Sequence, residues 1–165
     1  MPDSDSTPAI IAIYLTAQAQ TQLQSVAEAT AVAGRGLRGD RYFAGTGTFS
    51  RWPGTGRQIT LIETEVLAAL PAACRIEPGA ARRNLVTSGI ALAELVGVDF
   101  RIGGADGVVL RGQRLCEPCA HLERLTTAGI ARALVGRGGL RADVVVGGAI
   151  RVGDRLEILG SGSSN

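Results

Sequence analysis

The sequence contains no lysine, and all 17 basic residues are arginines. Without a lysine amine the chain cannot hold pyridoxal phosphate as a Schiff base, and it lacks the lysine of a phosphate-binding P-loop. We therefore expect neither covalent pyridoxal phosphate chemistry nor Walker-type phosphoryl transfer from this chain. The guanidinium groups that remain are planar donors suited to phosphate and carboxylate.

Other features are also scarce. The net charge is only +2, far from the strongly basic balance of a dedicated nucleic-acid-binding domain. No apolar run approaches the ~20 residues of a membrane span, and residues 1–8 lack the basic start of a signal peptide. Three cysteines, an odd number, are typical of a reducing compartment. We expect a cytoplasmic protein that binds neither nucleic acid nor membrane.

Short apolar segments separated by glycine-rich turns indicate the fold class. The 165 residues, 45% of them hydrophobic, are enough for one domain with a sizeable core. The pattern predicts a mainly β protein, a β-barrel with a few short helices, over residues 9–159 between flexible tails at 1–8 and 160–165. The predicted strands are 9–15, 25–32, 58–62, 83–86, 99–102, 108–111, 140–146 and 155–159, and the predicted helices are 63–73, 92–96 and roughly 119–135.

The densest chemistry lies in segment 114–122, RLCEPCAHL, which holds two of the three cysteines and the only histidine. Pro118 is typical of a helix start, where the partial positive charge of the helix stabilises an anion. Arginines lie just upstream and favour a thiolate further. Cys119 is therefore a better candidate for a reactive thiolate than Cys116.

Three uses of this segment have to be weighed. Structural zinc needs four ligands, and only Cys74 and His121 remain, at a spacing that does not fit a zinc finger. A thioredoxin-like redox pair needs a parallel βαβ context, which the predicted strands fit poorly. The third use is a single reactive or metal-ligating thiolate. The segment alone does not decide between the last two.

Three further segments combine glycine or asparagine with arginine: 36–42 (GLRGDRY), 81–87 (ARRNLVT) and 136–142 (GRGGLRA). Each has an ordinary explanation, as a turn with an ion pair, a solvated strand edge or a tight turn. Each also fits a ligand site, in which glycine lets the backbone approach and arginine supplies charge. The candidate cofactor-binding residues are Asp40, Arg41, Arg83, Asn84, Arg137, Gly139 and Arg141.

Taken in order, these segments resemble the MOSC family, the C-terminal domain of molybdenum cofactor sulfurases. The resemblance also includes QITLIE at 58–63, CEPC at 116–119 and IRVGD at 150–154. It implies a β-barrel like the barrel domain of pyruvate kinase, a molybdopterin-type cofactor, and one essential cysteine that matches Cys119. That cysteine would carry sulfur or ligate molybdenum. The resemblance further implies that Arg83, Asn84, Arg137 and Arg141 line the cofactor cleft.

One departure from the family affects the expected function. Full-length sulfurases carry a pyridoxal phosphate domain that extracts sulfur from cysteine, and a chain without lysine cannot replace it. The resemblance therefore implies a separate sulfur donor, such as a cysteine desulfurase. The alternatives are a small molybdoenzyme that reduces N-hydroxylated compounds with a separate redox partner, and a non-catalytic module that delivers cofactor or sulfur.

Overall fold

The computed structural model describes residues 7–17, 23–44, 56–116 and 128–161. The strands within these residues are β1 (Ala9–Leu15), β2 (Gln24–Val26), β3 (Glu28–Val32), β4 (Gly36–Leu37), β5 (Ile59–Glu63), β6 (Leu85–Ser88), β7 (Val98–Ile102), β8 (Val108–Leu115), β9 (Leu140–Val146), β10 (Gly148–Arg151) and β11 (Leu156–Ser161). The helices are α1 (Arg41–Ala44), α2 (Thr64–Ala68), α3 (Ile130–Ala133) and 3-10 helices at Ala72–Cys74, Pro78–Ala81 and Leu92–Leu95. None of these helices is long and apolar enough to span a membrane.

The strands form two sheets. Eight of them pair in the order β11-β7-β8-β9-β5-β6-β1-β2, and β10-β3-β4 form the second sheet. Among the pairs of named strands in the described residues, only β5 and β6 run parallel. A parallel pair needs a crossover connection, and α2 with two of the 3-10 helices supplies it.

The predicted closed barrel is not confirmed. In the described part of the chain the larger sheet ends at β2 and β11, which do not pair with each other. A single isolated bridge joins Ala9 to Arg155, and the Leu156 N–H donates to the Pro8 carbonyl beside it (3.0 Å). The fold is therefore mainly β with short helices. Strand β1 meets the segment at the start of β11 through this bridge and through further hydrogen bonds of Ile10 to Gly153 and Asp154.

The central strands are buried on both faces. Leu61 in β5 and Leu85 in β6 pack into the larger apolar cluster, which lies between the sheets. Their neighbours Ile62 and Val86 face the other way and pack with Ile130 of α3 in a smaller cluster. Because both faces of the strand are covered, β5 (ITLIE) has apolar residues on both faces, and its buried Thr60 is hydrogen-bonded to Asn84.

Most predicted strands are present with shifted ends. The segments 9–15 and 140–146 coincide with β1 and β9, whereas 25–32 divides into β2 and β3. Sequence patterns missed β4 and β10, which begin with Gly36 and Gly148, because glycine disfavours strands and only pairing with β3 defines these two.

The predicted ends of the helices and the tails differ more. The segment 63–73 is helical only to Ala68, because Pro71 restricts the residue before it and stops the helix. Strand β11 continues to Ser161, two residues into the predicted C-terminal tail. Of the predicted helix at 119–135 only the end, α3, falls within the described residues.

Candidate functional site

Four polar residues lie side by side across the larger sheet. Thr60 in β5 is the register partner of Arg141 in β9, which in turn faces Arg114 in β8. Asn84, just before β6, joins the row through hydrogen bonds to Thr60. Thr60, Asn84 and Arg141 are each the sequence neighbour of a leucine that packs in the larger cluster, so their side chains point to the opposite, outer face. Arg114 is placed in the row by its pairing with Arg141. We call these residues the polar row.

Asn84 uses its whole amide within the protein and is fully buried. Its Oδ1 accepts hydrogen bonds from the Thr60 N–H (3.1 Å) and hydroxyl (3.2 Å). Its Nδ2 donates to the Tyr14 carbonyl (3.2 Å). A buried amide is costly unless it is paired. Asn84 therefore ties together β1, β5 and β6.

Arg83 reaches from β6 to the glycine-rich segment before β9. It is 7% exposed. Its Nε donates to the Gly138 carbonyl (2.9 Å), and its Nη1 donates to the Ala81 carbonyl (3.2 Å). Gly139, next along, has φ +101°, and a Cβ there would collide with the Leu61 carbonyl. Arg83 and Gly139 together fix how the segment before β9 lies against β5.

Asp40 and Arg41 are buried and paired. The Asp40 carboxylate accepts hydrogen bonds from the Thr16 N–H (3.2 Å), the Tyr42 N–H (3.3 Å) and Arg41 Nη1 (3.3 Å). Arg41 Nη2 donates to the Arg82 carbonyl (3.2 Å). These contacts connect the end of β1 and α1 to the residues before β6, so two of the three arginine-containing segments meet.

Arg82, which sequence reasoning passed over, is the non-glycine residue with a left-handed backbone in the described part of the chain (φ +60°). A non-glycine residue in this region carries a conformational cost. Burial lowers the pKa of Arg82, and the positive charges of Arg41 and Arg83 lower it further. The side chain stays charged, because an arginine is not deprotonated in proteins. Three guanidinium groups thus gather beside the single Asp40 carboxylate.

A second group of arginines surrounds Asp143 on the outer face. Gly56 donates its N–H to Asp143 Oδ1 (2.9 Å), and a Cβ on Gly56 would lie 3.1 Å from Arg141 Cβ and 3.6 Å from Arg114 Nε. Burial raises the pKa of Asp143, while the N–H groups of Gly56 and Arg57 and the charge of Arg114 oppose that rise. We call Arg57, Arg114 and Arg141 with Asp143 the arginine face.

A neighbouring arginine is neutralised by its own partner. Arg111 Nε and Nη2 bond the two carboxylate oxygens of Asp99 at 2.7 and 3.2 Å. This fork-to-carboxylate geometry is the strong form of the pair. Arg111 therefore adds little net charge to the arginine face beside it.

Comparison with known proteins identifies the family. The family model described as the MOSC domain matches residues 26–157. The chain belongs to the MOSC domain family. No curated protein matches it.

Solved structures share the fold of this MOSC domain. The YuaD protein from Bacillus subtilis superposes with a TM-score of 0.77 at 20% identity, covering 96% of this chain and 98% of that chain. YiiM from Geobacillus stearothermophilus gives 0.70 at 14% identity, with 92% and 75% covered. YiiM from Escherichia coli gives 0.65 at 18% identity, with 94% and 72% covered. At these identities the likeness shows the fold.

The cysteine motif of the MOSC domain lies at the edge of the described residues. Cys116 directly follows β8, is 1% exposed, and donates its N–H to the Gly139 carbonyl (2.8 Å). A thiol buried in apolar surroundings is inert toward most reagents. Cys119, predicted as the catalytic residue and the molybdenum ligand, lies outside the described residues, as do Pro118 and His121.

The structure brings the predicted site residues of the MOSC domain together only in part. Arg83, Asn84 and Gly139 meet around β5, and Arg141 lies in the same row, whereas the Arg137 side chain is exposed. In the described residues no group of three or more His, Cys, Asp or Glu side chains is placed to hold a metal ion. Sequence reasoning missed Arg57 and Asp143. Asp143 lies two residues after Arg141 on β9, so strand alternation could have pointed to it, whereas Arg57 comes near through its backbone hydrogen bond to Asp143. A ligand role for each residue stays a prediction.

Proposed function

We propose that this MOSC domain binds a molybdenum-pterin cofactor and uses Cys119 as a sulfur carrier or molybdenum ligand in cofactor sulfuration. One observation carries the proposal: β8 leads directly into the cysteine motif at the point where it lies beside Gly139 and the polar row. Cys119 follows Cys116 by three residues in the sequence. Membership of the MOSC family supports the choice of cofactor.

The described residues fit an anionic pterin in their donor chemistry. Arg57, Arg114 and Arg141 present guanidinium groups suited to a phosphate ester. Arg83 donates to the Gly138 and Ala81 carbonyls, and Asn84 bonds to Thr60 and to the Tyr14 carbonyl, so we assign both residues to positioning β5, β6 and the glycine-rich segment. When bound, the cofactor would supply a redox-active molybdenum atom that accepts a soft sulfur ligand.

The chain's own part is to hold and present the thiol. The sulfur role requires Cys119 as a thiolate, and the charge of nearby arginines favours that form. The thiol of Cys116 is buried. Sulfur would come from a separate donor, such as a cysteine desulfurase, because no lysine is present to hold pyridoxal phosphate. We place the protein in the cytoplasm with that donor.

Two measurements on purified protein test the proposal. Protein from a host that makes the cofactor should contain about one molybdenum and one pterin per chain, and Cys119→Ser should lose activity in cofactor sulfuration while keeping its melting temperature. Cys116→Ser is the matched control, with a milder effect expected. Absence of both metal and pterin from the wild-type protein would contradict the proposal.

A persulfide assay separates the two roles of Cys119. After incubation with a cysteine desulfurase and cysteine, a carrier gains a reducible mass of one sulfur atom on Cys119. Molybdenum bound without any such addition, under conditions that persulfidate a control acceptor, indicates a metal ligand instead. A molybdenum-dependent turnover of N-hydroxylated compounds with a redox partner would favour the reductase. Transfer of metal and sulfur to an acceptor, without turnover of a substrate by this protein, would favour a delivery module.

The barrel predicted by the resemblance belongs to this proposal too. The Ala9–Arg155 bridge and the hydrogen bond from Leu156 to Pro8 lie between the two open ends of the larger sheet. They support an arrangement in which β1 and β11 complete a barrel around the larger apolar cluster.

A further inference from the structure

Two polar side chains meet where the parallel strands β5 and β6 end. Glu63 is the register partner of Thr87. Each lies two residues after a leucine, Leu61 or Leu85, that packs in the larger apolar cluster. Since residues two apart on a strand share a face, both side chains point to the inner side of the sheet. They lie at its carboxyl end, beyond the leucines.

A third oxygen-bearing side chain, Glu65 in α2, lies beside this pair. Its Oε1 accepts a hydrogen bond from the Gly89 N–H (2.8 Å), two residues after Thr87. The Glu63 carboxylate accepts the Leu92 N–H on its other side. Glu63 directly precedes α2, but its side chain makes no capping hydrogen bond to that helix. Two carboxylates and one hydroxyl thus gather at the ends of β5 and β6.

Two buried oxygen atoms of this group have no hydrogen-bond partner among the described residues. They are Thr87 Oγ1 and Glu65 Oε2. Thr87 is fully buried, and a buried polar group without a partner is costly. Because almost all polar atoms inside native proteins are paired, such atoms are typical of places where a water or an ion binds.

Charge favours a cation over a water at this place. Burial raises the pKa of the Glu63 carboxyl, and the negative charge of Glu65 raises it further. Neither carboxylate takes part in the ion pairs formed within the described parts of the chain. Neighbouring carboxylates that are partly out of water repel each other. A bound cation removes this repulsion, whereas a neutral water leaves it in place.

We propose that Glu63, Glu65 and Thr87 bind a hard divalent cation, Mg²⁺ or Ca²⁺. All three offer oxygen, the ligand atom of both ions. No three His, Cys, Asp or Glu side chains gather in the described ranges, and here the third ligand is a hydroxyl. Two carboxylates leave several positions for water, as is usual for Mg²⁺. The site goes beyond the proposed function, because none of its residues belongs to the polar row or the arginine face.

Calorimetric titration of chelator-treated protein with Mg²⁺, and separately with Ca²⁺, tests the site. We expect about one ion per chain and a higher melting temperature when the ion is present. Glu63→Gln should weaken binding about tenfold or more, because affinity depends on the number of charged ligands. Glu94→Gln is the matched control: Glu94 is exposed in the 3-10 helix Leu92–Leu95, and its replacement should change affinity less than about twofold.

Thr87→Val removes the hydroxyl and keeps the shape of the side chain. The hydroxyl has no partner among the described residues, so its loss should not lower the melting temperature of the metal-free protein. Binding of the ion should weaken about threefold or more, because one oxygen ligand is lost. A lower melting temperature with unchanged affinity would show that the hydroxyl has a structural partner, and it would overturn the assignment of Thr87.

The remaining outcomes are equally distinct. No binding of either ion by the wild-type protein, unchanged affinity in Glu63→Gln, or an equal loss in Glu94→Gln overturns the site. Binding of Zn²⁺ alone also overturns it, because zinc favours nitrogen and sulfur ligands. Binding of Mg²⁺ or Ca²⁺ that weakens in Glu63→Gln supports the site, and the tighter of the two identifies the ion. The titration needs no molybdenum or pterin, so its result is independent of the cofactor proposal.

Discussion

The two ends of the polar row differ in how they use their polar groups. At Asn84 and Thr60 each amide and hydroxyl contact is made inside the protein, between strands. At Arg114 and Arg141 like charges stand opposite each other, partly in solvent. The first end is built to hold strands together, and the second end places like charges across the ladder at a cost in stability. A family motif can therefore contain positioning residues and candidate binding residues in one row.

The largest effect should come from the buried end. Asn84→Ala removes the partner of the Thr60 N–H and hydroxyl and of the Tyr14 carbonyl, and a buried polar group left unpaired costs about 1–3 kcal/mol. We expect the free energy of unfolding in urea to fall by about 3 kcal/mol or more, the sum of the lower limits for these three groups. Gln113→Ala, which removes a part-exposed amide from β8, should cost less than about 0.5 kcal/mol. Equal losses of unfolding free energy in Asn84→Ala and Gln113→Ala would contradict the structural role of Asn84.

A pair of arginine substitutions gives the next largest difference. Arg83→Gln loses charge-assisted hydrogen bonds to the Gly138 and Ala81 carbonyls, so we expect about 2–3 kcal/mol of destabilisation. Arg114→Gln lies at an exposed position and should change stability by less than about 0.5 kcal/mol. Chemical unfolding of both variants measures the difference. A larger loss for Arg114→Gln would mean that Arg114 is structural.

The smallest effect concerns Asp143 and pH. Burial raises the pKa of Asp143 in the folded protein, so the folded state favours the protonated form more than the unfolded state does. The stability that comes from this preference is fully present below the pKa that Asp143 has in the unfolded chain. It is lost as the pH rises through the higher pKa of Asp143 in the folded protein. Asp143→Asn should therefore gain stability relative to wild type between pH 3 and pH 7, by about 0.5 kcal/mol or less because solvent screens the group. Thermal unfolding across this range measures it, and a relative loss would contradict the sign.

The sequence predicts the strands better than their arrangement. Segments such as 140–146 are informative because apolar residues alternate with charged ones before a run of valines, which is a strand pattern, whereas β4 and β10 depend on pairing with β3, which lies elsewhere in the chain. The candidate site shows the same limit. Arg83, Asn84 and Arg141 stand out by type and motif, but Asp143 becomes a candidate only when the fold brings the Gly56 N–H to its carboxylate and the charge of Arg114 near it.

The roles of these residues were harder to predict than their positions. The arginine and asparagine of segment 81–87 read equally well as ligand anchors and as a strand edge. The structure shows a third state, in which both side chains are buried and paired with backbone groups. Hydrogen bonds to distant carbonyls such as Tyr14 leave no local pattern in a sequence, so composition and spacing could not have predicted them.

The parallel pairing of β5 and β6 has a consequence for synthesis on the ribosome. Strand β5 acquires β6 soon after it emerges, but its other partner, β9, begins at Leu140, 77 residues after Glu63. At about 5–20 residues per second, that interval is roughly 4–15 s. During this interval strand β5 (Ile59–Glu63) has one unpaired edge, and such edges are prone to aggregation. The yield of folded protein should therefore depend on how fast β9 is translated and on chaperones that bind the unpaired edge of β5.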